Sequence, residues 1–182
     1  MKNLLSSSPF ERWTLNVGRW TFAFLLLCAL CGQTFAKDPS ATAQGKQGLR
    51  YVQIPLTAAQ INGMYAAPVK ILDPQGSGKS IVVAKAVFTI TRTATQFANG
   101  GAAIIQYGST VNGGGTQACD STIAATNITG TAGTVVTVRN GAVITALAAA
   151  SIQNAPLYLS NATAAFDTGT GTATLGVWYY VL

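Results

Sequence analysis

An alternating run over residues 80–92 constrains the fold of this chain more than any other sequence feature. Every second position is apolar, namely Val82, Ala84, Ala86, Phe88 and Ile90. A period of two places such side chains on one face of an extended strand. The intervening positions include Lys85, Thr89 and Thr91, which suit a more exposed face. We therefore predict a long, half-buried β-strand over residues 80–92.

The closing segment, residues 172–182, alternates in the same way but is apolar on both faces. One face carries Ala173, Leu175, Val177, Tyr179 and Val181, and the other carries Trp178, Tyr180 and Leu182. An antiparallel sheet in a monomer usually exposes one face to water. Large apolar patches mark interaction sites, and aromatic side chains are enriched there. We predict that the second face is an interface in a homo-oligomer. The alternative is that the polar arm at residues 37–49, or a loop, covers Trp178.

Short apolar runs between turn residues predict the remaining elements. The expected strands lie at residues 51–54 (ended by Pro55), 68–72, 102–108 (a hairpin partner of the long strand), 121–128, 134–139, 142–147 and 157–159. Thr57 can cap a helical turn at residues 58–61, which Gly63 would end, and the alanines at 146–150 could form another turn. The predicted fold is all-β: an antiparallel β-sandwich or jelly-roll-like single domain over residues 51–182, with one short helical turn.

Two glycine-containing turns have distinct signatures. Asn140-Gly141 predicts a two-residue type I′ hairpin, since both residues tolerate a positive φ. Gly76 and Gly78 indicate a second turn, and Gly78-Lys79-Ser80 matches the end of a phosphate-binding P-loop. Such a loop needs an earlier glycine, where this chain has Asp73, and a helix afterwards, where this chain has a strand pattern. We therefore predict a structural turn and no nucleotide.

The first 36 residues are typical of a secretory signal peptide. Basic residues precede a short apolar core at residues 21–32, and Thr34-Phe35-Ala36 supplies small residues at the cleavage positions. The core is shorter than the ~20 residues of a membrane span. Cleavage near Ala36 would export the protein to the periplasm or the medium. An uncleaved anchor and a misassigned start remain alternatives. Residues 37–50 are predicted to be a flexible linker.

The composition disfavours catalysis. The chain has no histidine, and its acids beyond Ala36 are Asp38, Asp73, Asp120 and Asp167. Asp73 and Asp120 lie in glycine-rich loops and could approach each other, but turn aspartates usually bind local backbone. Without the usual acid–base groups we predict no catalytic residue, no cofactor and no metal. Cys119 would be a plain thiol. Beyond Ala36, eight basic and four acidic residues give a net charge of +4, and the basic residues are scattered singly, which disfavours nucleic-acid binding.

The order LTAAQI, APVKIL, a D-P-x-G-x-G-K turn and an alternating strand resembles bacteriophage capsid decoration and head-fibre-like virion structural proteins. The blocks at 100–108, 121–126 and 157–162 and the closing aromatic strand fit the same pattern, so the resemblance covers residues 52–182. It implies a non-enzymatic β-rich module on the virion surface, a homotrimer, and the major capsid protein as a partner. The alternative function is a secreted bacterial surface or binding protein with a β-sandwich fold.

Overall fold

The computed structural model describes residues 48–142 and 147–182, which belong to one compact unit, Gln47–Leu182. In this part of the chain the strands are Arg50–Leu56 (β1), Val69–Leu72 (β2), Ile81–Arg92 (β3), Ala103–Tyr107 (β4), Thr116–Gln117 (β5), Gly133–Asn140 (β6), Leu157–Asn161 (β7) and Thr172–Val181 (β8). The helices are Ala58–Gly63 (α1), Ala125–Ile128 (α2) and Ala149–Ile152 (α3). The predicted signal peptide, residues 37–47 of the linker and residues 143–146 of the predicted strand at 142–147 lie outside the described residues.

The strands form two antiparallel sheets of four strands each. The first sheet has the order β1-β8-β3-β6, and the second has the order β2-β7-β4-β5. One cluster of buried side chains contains residues of both sheets, among them Phe88, Ile105, Leu159 and Leu175. The prediction of an all-β, sandwich-like single domain is therefore confirmed. The described residues contain more helical turns than the one predicted.

The core-facing side of β3 differs from the predicted one at its start. A β-bulge between Val83 and Lys85 shifts the register of β3 against β8. Before the bulge, Ile81 and Val83 belong to the core, and after it Ala86, Phe88 and Ile90 do. An extra residue in one strand reverses which alternate positions point inward. The prediction was therefore right from Ala86 onward and wrong for Ala84, whereas Val82 is buried as expected but lies outside the core cluster.

The predicted hairpin at Asn140-Gly141 is wrong. Neither residue has a positive φ; Asn140 still pairs with Lys85, and Gly141 bridges to Cys119. The Gly141 N–H donates to the Ala84 carbonyl at 3.0 Å, beside the β3 bulge. A β-carbon at Gly141 would lie 1.7 Å from the Val83 oxygen. The glycine is therefore required by a close approach of two backbones, not by a turn.

Several local predictions also differ from the structure. Strand β1 continues through Pro55 to Leu56, and β4 pairs with β5 and β7 rather than with β3. The expected strand at residues 121–128 is a single β-bridge from Ile123 to Ala103 followed by the helix α2. Thr57 caps α1 as predicted, since the Gln60 N–H donates to Thr57 Oγ1 at 3.3 Å. The structure adds a reciprocal bond that was not predicted, from the Thr57 N–H to Gln60 Oε1 at 2.9 Å. Local hydrogen bonds were thus easier to predict than strand partners.

The turn before β3 has two glycines in left-handed conformations. The φ angles are +104° at Gly76 and +75° at Gly78, and no atom lies within 4 Å of where a β-carbon would be at either glycine. The Gly76 N–H donates to Asn154 Oδ1 at 2.9 Å, and the Asn154 N–H donates to the Lys79 carbonyl at 2.7 Å. The turn leads directly into a strand, so its backbone does not open a helix as a P-loop does.

We expect Gly78→Val to lower the free energy of unfolding by about 1–2 kcal/mol, because a side chain there is strained at positive φ. Lys79→Ala should leave stability almost unchanged, since the Lys79 side chain is exposed. Urea unfolding would measure both variants. Gly63→Ala is the matched control, because Gly63 also has open space around it but an ordinary φ. Micromolar ATP binding that Lys79→Ala abolishes would contradict the structural interpretation of the turn.

Candidate assembly surface

The outer face of the second sheet is closed by the protein's own glycine-rich loop, residues 108–115. Gln106 is completely buried there, between the core residues Ile105 and Tyr107. Its Nε2 donates to the carbonyls of Gly108 and Thr110, at 3.2 and 2.6 Å, and its Oε1 accepts from the Gly115 N–H at 3.3 Å. Two carbonyls and one N–H of the loop thus form hydrogen bonds with the Gln106 side chain, and these bonds hold the loop over the sheet.

A second polar anchor holds the same loop further along the sheet. The Gly113 N–H donates to Ser160 Oγ at 3.2 Å, and that hydroxyl donates to the Met64 carbonyl at 3.2 Å. Ser160 is fully buried, and a β-carbon at Gly113 would lie 2.9 Å from Ile104 Cδ1. The loop therefore packs closely enough to bury the part of this face that carries Ile104, Gln106 and Ser160.

The first sheet has no such cover among residues 48–142 and 147–182. We call the exposed part of its outer face on these strands the open face, and use the name for Tyr51, Gln53, Lys85, Val87, Thr89, Val136, Val138, Thr174 and Trp178. All of these side chains are partly or fully exposed. They alternate with core residues such as Leu175 and Val177, so the face follows from the strand period. Most of them are β-branched or aromatic, and Lys85 is the single charged residue in this set. The outward pair Val82 and Tyr180 continues this face, with Val82 buried.

An aromatic pair lies near one end of the open face. Tyr51 and Trp178 are directly opposite each other on β1 and β8, with ring centroids 4.6 Å apart and planes tilted by 41°. Gly176 leaves room for Tyr51, because a β-carbon there would lie 2.8 Å from the tyrosine oxygen. Lys85 Nζ is 5.8 Å from the centroid of the Trp178 ring, within reach of a cation–π contact. Cross-strand contacts thus hold the tryptophan in place on the surface.

The predicted interface residues have unequal exposure. Trp178 is half-buried, whereas Tyr180 and Leu182 are 36% and 45% exposed. The opposite face of β8 is buried, as the alternation predicted. Sequence reasoning missed Tyr51, although its outward position follows from the alternation with Val52 and Ile54. The alternative was that the arm at residues 37–49 covers Trp178, and most of that arm lies outside the described part of the chain. Leu49, at the end of that arm, is 53% exposed.

The aspartates of the described residues each bond a different partner. Asp73 forms an exposed ion pair with Lys70 at 3.1 Å, Asp120 accepts from Asn140 Nδ2 at 3.5 Å, and Asp167 accepts from Asn99 Nδ2 at 2.5 Å. Asp73 and Asp120, which the sequence allowed to approach each other, share no hydrogen-bond or ion-pair partner. Within the same residues, no group of three potential metal-ligating side chains is present. No helix there has the length and apolar character needed to cross a membrane.

Cys119 and Tyr107 are buried polar groups of the core. Burial, with a smaller effect of Asp120, raises the pKa of Cys119 to about 12, although Arg139 lowers it slightly. Burial also raises the pKa of Tyr107 to about 12, and its hydroxyl donates to the Ile81 carbonyl at 2.7 Å. At neutral pH the Cys119 thiol therefore stays protonated, which makes it a weak nucleophile.

Comparisons with known proteins give no match: no family model, no curated protein and no solved structure is similar to this chain at a significant level. The resemblance to virion structural proteins stays a prediction. The geometry of the two outer faces is then the basis for a functional proposal.

Proposed function

We propose that this chain is a non-enzymatic structural module that assembles through its open face. One observation carries the proposal: the outer face of the second sheet is closed by residues 108–115, whereas the first sheet presents Tyr51, Trp178, Val136 and Val138 to solvent. Exposed apolar patches on soluble proteins mark interaction sites, and tryptophan and tyrosine often dominate the binding energy there.

The setting that we propose is the surface of a virus particle, where the module decorates a capsid. The partners would be further copies of the chain and the major capsid protein, and the resemblance implies a trimer. The rival function is an exported bacterial surface or binding protein, released by cleavage near Ala36. Mass analysis of the native N-terminus and of purified particles separates the two. The polypeptide in particles supports the first function, whereas a chain beginning at Lys37, found only in periplasm or medium, supports the second.

We expect Trp178→Ala to weaken self-association at least 10-fold, which corresponds to about 1.4 kcal/mol. The change removes the largest ring of the open face and the stacking contact with Tyr51. Sedimentation equilibrium on the unmodified and variant proteins would measure the dissociation constants. Tyr158→Ala is the matched control, because Tyr158 is a half-buried aromatic residue of the second sheet. A monomeric unmodified protein at high micromolar concentration, with the Trp178 fluorescence of a buried indole, would contradict the proposal.

A further inference from the structure

The outer edge of the first sheet at β6 has no strand partner within the described residues. Strand β6 is the last strand of its sheet and pairs with β3 alone. Helix α2 lies next to it, but the contact is on the inner face, where Asn127 Nδ2 donates to Thr137 Oγ1 at 2.9 Å. Val136 and Val138 remain 59% and 46% exposed. On the outer side of Val136 and Val138, the described residues make one hydrogen bond, from Arg139 Nη1 to the Val138 carbonyl at 3.1 Å.

The backbone groups that point outward from β6 can be identified. In an antiparallel strand the N–H and C=O of one residue point to the same side, and successive residues alternate. The Asn140 carbonyl accepts from the Asp120 N–H at 2.9 Å, whereas the Gly141 N–H donates to Ala84 of β3. Asn140 thus points away from β3, and so do Val138, Val136 and Thr134. Thr134 and Val136 offer an N–H and a carbonyl each, and Val138 offers its N–H, whereas the Val138 carbonyl already accepts from Arg139 Nη1 at 3.1 Å.

This edge lacks the devices that usually prevent strand addition. Natural edge strands carry lysine, proline or a bulge at such positions. Strand β1, at the opposite edge of the same sheet, contains Arg50 and Pro55. Residues Gly133 to Val138 of β6 contain neither proline nor charge. The guanidinium of Arg139 is held by two carbonyls of its own chain, that of Thr122 at 2.8 Å from Nε and that of Val138 at 3.1 Å from Nη1. The two edges therefore differ in a way that favours pairing at β6.

We propose that two copies of this chain join along β6, antiparallel about a two-fold axis through Val136. Val136 then opposes the partner's Val136, and Thr134 opposes the partner's Val138, each pair exchanging N–H···O bonds in both directions. A second copy fits this edge because β-branched residues face each other, which is a favourable cross-strand pairing, and no like charges meet. The two first sheets continue into one, with both open faces on the same side.

This inference rests on the proposed function, since it adds to the open face a second contact between copies, at the β6 edge of the same sheet. The contact is isologous, so the same surface is used by both copies. It gives a dimer or an assembly of dimers, in place of the trimer that the resemblance implies. Val136 and Val138 of the two copies then lie next to one another, in the middle of the surface that the two open faces form together.

The test removes the outward N–H of Val136 in the full-length chain. Val136→Pro deletes a donor that points away from β3, so the β3–β6 ladder is retained. We expect the dimer dissociation constant to rise at least 10-fold, while circular dichroism stays that of the folded protein. Val136→Thr keeps the N–H and the β-branched shape, and should change the constant less than about 3-fold. A dimer that tolerates Val136→Pro would overturn the inference.

A charge exchange at the two-fold axis tests the geometry without a backbone change. Val136→Lys alone and Val136→Asp alone should each associate at least 10-fold more weakly than the unmodified protein at low salt, because like charges would meet at the axis. An equimolar mixture of the two variants should regain the lost association. If the mixture associates no more tightly than either variant alone, the pairing across Val136 is wrong. If Trp178→Ala abolishes assembly and all Val136 variants still assemble, the proposed function stands and the β6 contact fails. If the unmodified protein does not assemble at all, both fail.

Discussion

Replacing Gly141 with alanine is expected to lower the free energy of unfolding by about 3 kcal/mol, the upper end of the usual cost of overpacking. The added methyl group would lie 1.7 Å from the Val83 oxygen, so two backbone segments would have to separate. Their separation would also stretch the bond from the Gly141 N–H to the Ala84 carbonyl, now 3.0 Å. The variant should unfold at a clearly lower urea concentration than the unmodified protein.

The Gly63→Ala variant controls for the general effect of adding a methyl group to a glycine. Gly63 has no atom within 4 Å of its would-be β-carbon and no positive φ, and it lies in helix α1. Its replacement should therefore be neutral or slightly stabilising, since alanine has the higher helix propensity. Equal unfolding midpoints for Gly141→Ala and Gly63→Ala would show that the close approach at the bulge is not a real constraint.

Gln106→Leu is expected to release residues 108–115 from the second sheet and to lower the free energy of unfolding by about 3 kcal/mol. The leucine fills a similar volume but leaves the Gly108 and Thr110 carbonyls and the Gly115 N–H without their partner. Each buried polar group that loses its bond costs about 1–3 kcal/mol, and opening of the loop to water relieves part of that cost. Faster hydrogen exchange at the Gly115 N–H, together with urea unfolding, would measure the effect.

The control for this prediction is Gln117→Leu. Gln117 lies opposite Gln106 on β5, is only half-buried, and donates to a single carbonyl, that of Cys119, at 2.8 Å. Its replacement should cost about 1 kcal/mol, the typical net value of one hydrogen bond. The release of residues 108–115 should also expose Ile104 and the introduced leucine, so Gln106→Leu should bind more of a hydrophobic dye than Gln117→Leu. Equal stability and equal dye binding would refute the role given to Gln106.

These two variants address the asymmetry on which the proposed function depends. The module closes the outer face of its second sheet with a loop and leaves the open face of its first sheet in solvent. A structural protein that coats a surface needs one face that attaches and another that does not. The buried side chain of Gln106 and the exposed pair of Tyr51 and Trp178 place these two properties on opposite sheets.

Period-two patterns determined the strands and most of their buried faces from the sequence alone. Residues 80–92 and 172–182 were predicted as strands because a pleated chain places alternate side chains on opposite faces, whatever it pairs with. The capping box of Thr57 and Gln60 was equally predictable in part, since it depends on residues within one turn of helix. The all-β class followed from many such local signals in agreement.

Tertiary structure alone decided which strands pair, because pairing joins residues far apart in the sequence. Strand β4 lies in the second sheet with β7, and the bulge of β3 turns Ile81 and Val83 inward. Gly141 resembled a turn residue, yet its role is set by Val83, more than fifty residues earlier. The same holds for the candidate site. The sequence indicated Trp178, but only strand pairing placed Tyr51 against it. Strand order likewise left β6 at the edge of its sheet. Neighbours across a sheet are fixed by the register of the strands and not by any local sequence pattern.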